Sequence, residues 1–151
     1  MIGPRLARAE EAGAVTALVQ RAYAPYVASL GRRPAPMDDD FAARIARGQA
    51  HVLERDGQVV ALAVLEARAD HLWIEDLAVD PALHGQGFGQ ALLAFAESEA
   101  HRLGLAELRL LTNAAMTRNR AIYARAGFVE VEERVEEDRH RVFMRRALMG
   151  R

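Results

Sequence analysis

The chain contains no cysteine, which removes disulfide frameworks, thiolate metal sites and a cysteine nucleophile together. No covalent acyl-cysteine route is open to it. It also lacks an apolar run near the ~20 residues of a membrane span, and Met1-Ile2-Gly3-Pro4-Arg5-Leu6 lacks the apolar core of a signal peptide. A cytoplasmic location without membrane contact is the expectation. Charge of one sign is missing too, because 20 basic against 21 acidic residues leave a net charge of −1. A general nucleic-acid binder needs a basic surface, so small-molecule or peptide partners are expected instead. His51, His71, His101 and His140 show no metal-ligand spacing, and no metal is assigned.

What remains is 151 residues, 51% of them hydrophobic, enough for one cored domain and too few for two ordinary ones. A single domain over residues 1–151 is expected. After a short strand at Ile2 to Arg8, apolar Val15, Leu18, Val19 and Ala22 share one face of a helix over Glu10 to Tyr23. Pro25 should interrupt it, leaving a loop from Tyr26 through Pro36. Asp38, Asp39 and Asp40 then read as the N-terminal cap of a short helix with Phe41 and Ile45 inward.

Asp56-Gly57 between Ala50–Arg55 and Gln58–Ala67 is a strong hairpin signal. The next run, His71 to Val79, reads as a central strand whose apolar parity slips at Glu75-Asp76, the mark of a β-bulge. Phe88, Leu92, Phe95, Ala96 and Leu103 share a helical face that Gly104 can end. A strand at Glu107 to Thr112, a helix at Thr117 to Ala126 and a hairpin of Phe128–Glu136 with Arg139–Ala147 complete the chain. The alternating charges from Glu132 to Arg141 read mostly as cross-strand pairs.

The most informative stretch is Asp80-Pro81-Ala82-Leu83-His84-Gly85-Gln86-Gly87-Phe88-Gly89-Gln90, where three alternating glycines join the central strand to the following helix. Such a turn lets several main-chain N–H groups converge on an anion, with the helix dipole behind them. A tight strand-to-helix turn without a ligand is the plainer reading. A P-loop is excluded because Gln90 and Ala91, not Lys and Ser or Thr, follow Gly89. A dinucleotide fingerprint is excluded because the sixth position from Gly85 is Gln90.

The spacing His84-x-x-Gly87-x-Gly89, the lead-in Leu77-Ala78-Val79-Asp80-Pro81 and Tyr123-x-x-x-Gly127-Phe128 together resemble the GNAT superfamily of acyl-CoA-dependent N-acetyltransferases along essentially the whole chain. His84 stands where that family usually has Gln or Arg, and Gln86 where Arg or Lys is frequent. The resemblance implies an α/β fold of the α+β type, with a mixed sheet of about six to seven strands, a bulged central strand and about four flanking helices. It implies acetyl-CoA as co-substrate, with His84, Gly85, Gln86, Gly87, Phe88, Gly89 and Gln90 at the diphosphate and the main chain of Leu77, Ala78 and Val79 along the pantetheine arm.

By the same resemblance Tyr123 is the general acid that protonates the leaving thiolate, and Glu75 is the base, directly or through water, with Asp76 its neighbour. A phenol near pKa 10 keeps its proton at neutral pH. Asn113 or Asn119 would contact the cofactor, although the family's spacing falls on Met116; capping of the following helix is the alternative for Asn119 and Thr117. The acceptor side would draw on Tyr23, Tyr26, Arg32, Arg33 and Met37 together with Glu75, and a homodimer is compatible with the family. The leading reading is acetyl transfer to a primary amine of a small molecule or peptide within a ternary complex. A catalytically silent CoA-binding or sensing domain, and a glycine-loop domain for another phosphorylated ligand, stay open beside it.

Overall fold

The computed structural model describes residues 3–148, and the start of the first expected strand, Ile2, lies outside them. Seven strands are hydrogen-bonded in the order β1-β2-β3-β4-β5-β7-β6. They are β1 (Arg5–Leu6), β2 (Ala50–Arg55), β3 (Gln58–Ala67), β4 (Leu72–Val79), β5 (Glu107–Asn113), β6 (Val129–Glu136) and β7 (Arg139–Ala147). The helices are α1 (Ala12–Leu30), α2 (Phe41–Ala46), α3 (Phe88–Arg102) and α4 (Thr117–Arg125). The sheet is mixed: β4 and β5 run parallel, whereas β2–β3, β5–β7 and β6–β7 are antiparallel. Among the described residues no helix is long and apolar enough to cross a membrane.

Two compact units divide the chain, one formed by the residues up to Leu65 with Asp76–Phe95, the other by Glu66–Glu75 with the chain from Ala96 on. In the first, β2 and β3 pair across a turn where Asp56 and Gly57 take φ of 53° and 77°, the conformation the Asp-Gly pair favours. Val52, Leu53, Ala61 and Leu62 are fully buried there, as are Val15, Leu18 and Val19 of α1. Arg5 holds β1 in place through Glu11 at 2.8 Å and through Glu54, and the Glu11 carboxyl is held down to about 2 chiefly by that Arg5 hydrogen bond. Asp40 caps α2 by accepting from Ala43 N at 3.0 Å, as the acidic run suggested.

Helix α1 does not stop at Pro25. It continues to Leu30 and ends at Gly31 in the left-handed conformation, φ 71°. A proline removes one intrahelical hydrogen bond, and at an exposed position behind a well-buried face that loss does not unwind the helix. The loop expected from Tyr26 therefore shrinks, and residues 35–38 form a 3-10 turn.

In the second unit β4 pairs with β5 from Leu72↔Leu108 to Ile74↔Leu110, and β7 lies between β5 and β6. Leu108, Leu110 and Thr112 point into the interior with Val142 and Met144, which β7 supplies on the same face. Gly104 follows α3 with φ 71°, but Leu103 is 43% exposed and leaves the apolar face assigned to it. Two of the hairpin's ion pairs run along β6 itself, Arg134 with Glu132 and with Glu136, whereas His140–Glu133 and Arg141–Glu136 cross the strands. Strand β6 is exposed throughout, and its register against β7 shifts between Glu130 and Glu132.

Candidate functional site

In the first unit β4 leads through Asp80, whose carboxylate accepts from Ala82 N at 3.0 Å, into a 3-10 turn over Pro81–Leu83. Gly85 and Gly87 then take φ of 80° and 88°, a region in which a side chain is strained. Gly89 needs no such φ, and no heavy atom lies within 4 Å of the Cβ position of any of the three. The turn is open on that side. Among the described residues the amides of Gly85 to Gln90 donate to no carbonyl, and the next donor along the chain is Ala91 N, to Gly87 O at 3.0 Å. Six consecutive amides without a main-chain acceptor at a helix start are a donor set that a diphosphate fits.

Arg55, at the end of β2, donates to Gln86 Oε1 at 2.8 Å. Its guanidinium thus reaches the loop position where the family often carries a cation. Sequence reading missed it, since 31 residues separate the pair. His84, expected at the diphosphate, is exposed just ahead of the glycines.

The two neighbouring carboxylates of β4 part ways, as alternation along a strand requires. Asp76 is 4% exposed and accepts from Tyr23 OH at 2.6 Å, whereas Glu75 is exposed and accepts from Trp73 Nε1 at 2.9 Å. Burial alternates cleanly through Ile74, Asp76 and Ala78, so the apolar Leu77 and Val79 are the half-covered side. Asp76 thus takes a buried position on β4 beside Tyr23. Leu77 O also receives Tyr23 OH, at 3.4 Å.

Tyr23 and Met37, proposed on the acceptor side, are buried; Met37 O accepts from Gln20 Nε2 at 2.8 Å and from Arg33 at 3.3 Å. Tyr26 is half-exposed with its ring 6.4 Å from that of Tyr23, and Arg32 and Arg33 are exposed. Burial of Tyr23 follows from its place on the α1 face that carries Val15, Leu18 and Val19.

In the second unit Tyr123 sits half-buried on α4, its ring 5.8 Å from Phe128 at 62°. Gly127, φ 94°, turns the chain so that Phe128 N reaches Tyr123 O at 3.0 Å. Asn113 Oδ1 accepts from Ala115 N at 2.9 Å, closing a local turn. The N-cap of α4 is Met116, without a side-chain cap, so neither Thr117 nor Asn119 caps the helix. Met116 is buried, and its sulfur receives Asn119 Nδ2 at 3.5 Å. Among the described residues no group of three or more His, Asp or Glu is arranged to hold a metal ion.

The acetyltransferase (GNAT) family model matches residues 15–128, and the chain belongs to that family. Over 78 residues it is 33% identical to the [ribosomal protein bS18]-alanine N-acetyltransferase of Escherichia coli strain K12, a match covering 52% of this chain and 53% of that protein. The chain thus spans about half the length of that curated relative. Among solved structures, the PaiA N-acetyltransferase of Thermoplasma acidophilum in complex with coenzyme A superposes with a TM-score of 0.82 at 16% identity, covering 97% of this chain and 99% of the other. The Escherichia coli ribosomal-protein-S18-alanine N-acetyltransferase does so with 0.73 at 23% identity, covering 99% and 96%. At these identities the superpositions establish the fold.

Proposed function

We propose that this protein moves an acetyl group from acetyl-CoA to a primary amine of a small molecule or peptide by direct attack in a ternary complex. The observation that carries the reading is the row of amides from Gly85 to Gln90, which donate to no carbonyl among the described residues and stand at the start of α3 in a GNAT member. Bound acetyl-CoA supplies a thioester carbonyl open to attack.

The chain's own residues do the rest. The six amides hold the diphosphate, and Arg55, carried by Gln86, adds the fixed charge that the loop itself lacks. Main-chain groups of Leu77, Ala78 and Val79 orient the arm and offer an N–H to the carbonyl oxygen as it gains charge. Glu75, positioned by the indole of Trp73, takes the proton from the amine, directly or through water. The amine nitrogen bonds to the carbonyl carbon, the carbon–sulfur bond breaks, and Tyr123 gives its phenolic proton to the departing thiolate. Solvent then returns a proton to Tyr123 as Glu75 releases the one it took. The free amine, not the ammonium, is the nucleophile, so a base beside the acceptor is required.

Thiol release from acetyl-CoA, followed across amino acids, polyamines, antibiotic amines and peptide N-termini, with mass spectrometry of the products, tests this reading. Release in step with an acetylated amine is expected. Tight coenzyme A binding with no transfer to any amine would instead establish a sensing domain.

A further inference from the structure

The second unit contains a cavity of about 570 Å³ that no residue of the expected acceptor set lines. Its size suits a small molecule. Trp73 and Phe143, with ring centres 6.5 Å apart, form an aromatic floor that Val131 extends. Over this floor lie guanidiniums: Arg68 sits 4.5 Å from the Trp73 ring centre and Arg134 4.6 Å from that of Phe143. Arg109 and Arg145 line the wall, and Glu132 is the one carboxylate among the lining residues.

The other acids that hold these arginines approach from outside the lining. Glu66 holds Arg68 at 2.8 Å, Glu107 holds Arg109 at 2.6 Å and Arg145 at 3.3 Å, and Glu136 stands 4.0 Å from Arg134, beside Glu132. Their effect is to fix the forks in place. Each guanidinium carries five donors, so donors remain for a ligand.

A second observation comes from His71, which lines the same cavity and is only 8% exposed. Its Nδ1 meets Asp70 at 2.6 Å, and Asp70 is in turn 3.5 Å from Arg109. Nε2 is buried and has no partner among the described residues. A buried ring nitrogen without a partner calls for a polar group of a ligand.

We propose that this cavity is the acceptor pocket and that it takes an aromatic α-amino acid, with the ring laid on the guanidiniums that cover Trp73 and Phe143, the carboxylate on Arg109 and Arg145 and the amino group toward His71 and Glu75. The acceptor role rests on the acetyl-transfer reading given above. Glu75 belongs to this assignment because Trp73 Nε1 holds it from the cavity floor. Spermidine has neither a ring nor a carboxylate to offer these groups.

Trp73 is the chain's single tryptophan, so its fluorescence reports occupancy of the pocket without any turnover. The wild-type chain is titrated with L-phenylalanine, phenethylamine and spermidine, and the same three are offered as acceptors with acetyl-CoA. Saturable change with L-phenylalanine, at least about tenfold weaker with phenethylamine and absent with spermidine, is expected. Arg109→Gln should weaken L-phenylalanine about tenfold while leaving phenethylamine unchanged. Equal response to L-phenylalanine and phenethylamine, or none to either, overturns the proposal, and this comparison needs no variant to fold. Transfer to phenethylamine or spermidine but not to L-phenylalanine also overturns it, while leaving acetyl transfer intact. Carboxylate-dependent fluorescence with no transfer to any amine upholds the pocket as a ligand site and removes the acetyltransferase reading.

Discussion

The glycine turn of the first unit offers main-chain amides from consecutive residues, whereas the cavity of the second gathers side chains from four strands and the turn before β4. A main-chain cradle recognises a charge that every donor of the family carries. A side-chain pocket can differ from member to member, and the proposed acceptor choice resides there. The two should therefore respond differently to substitution: changes in the turn alter donor affinity, and changes around Trp73 and Glu75 alter turnover and acceptor choice.

The largest expected effects fall on chemistry. Glu75→Gln should lower turnover about 10²-fold to 10³-fold and remove the acidic limb of the rate profile, and Tyr123→Phe should lower it about 10²-fold, both with coenzyme A affinity nearly intact. Loss of donor affinity in either variant would erase the distinction between the two regions. Tyr23→Phe sharpens it differently, because it strips a buried hydroxyl from Asp76. A stability loss of about 1–3 kcal/mol in denaturant melts is expected, with coenzyme A still bound by the folded fraction.

In the turn, Gly87→Ala forces a side chain into φ 88°, which costs about 1–2 kcal/mol of strain, and should weaken coenzyme A about tenfold in calorimetry. Gly89→Ala requires no such φ and should change binding little. Equal losses from both would mean that bulk, not backbone conformation, governs the cradle.

The smallest effect lies far from either region. Because Arg5 holds the folded Glu11 carboxyl at about 2 against an ordinary 4.5, the unfolded chain binds the proton first as pH falls. The stabilisation is complete above about pH 4.5 and is lost on the way down to about pH 2. Glu11→Gln should flatten that part of the pH–stability curve, by an amount on the order of 1 kcal/mol.

Much of the fold was legible because its signals are local. Asp56-Gly57, Gly104 and the Asp40 cap each dictate a conformation within a few residues, and the structure places a turn, a helix end and a helix start there. Pro25 misled because a local penalty was weighed without the buried face of α1. The partner of the buried Asp76 could not be read, since Tyr23 lies 53 residues away. The cradle could be read because its glycines are contiguous. Arg55 and the cavity could not, since strand pairing alone brings Trp73 opposite Arg109, Arg109 opposite Arg145, and Phe143 opposite Glu132. The single tryptophan two residues before Glu75 was the one available hint.

The central claim is that the amides of Gly85 to Gln90 bind the diphosphate of coenzyme A. Titration of coenzyme A into the ¹⁵N-labelled chain tests it most directly. The account predicts the largest saturable amide shifts at these six residues, shared by desulfo-coenzyme A and reduced in Gly87→Ala. Saturation with those amides unmoved, and the shifts gathered elsewhere, would contradict it.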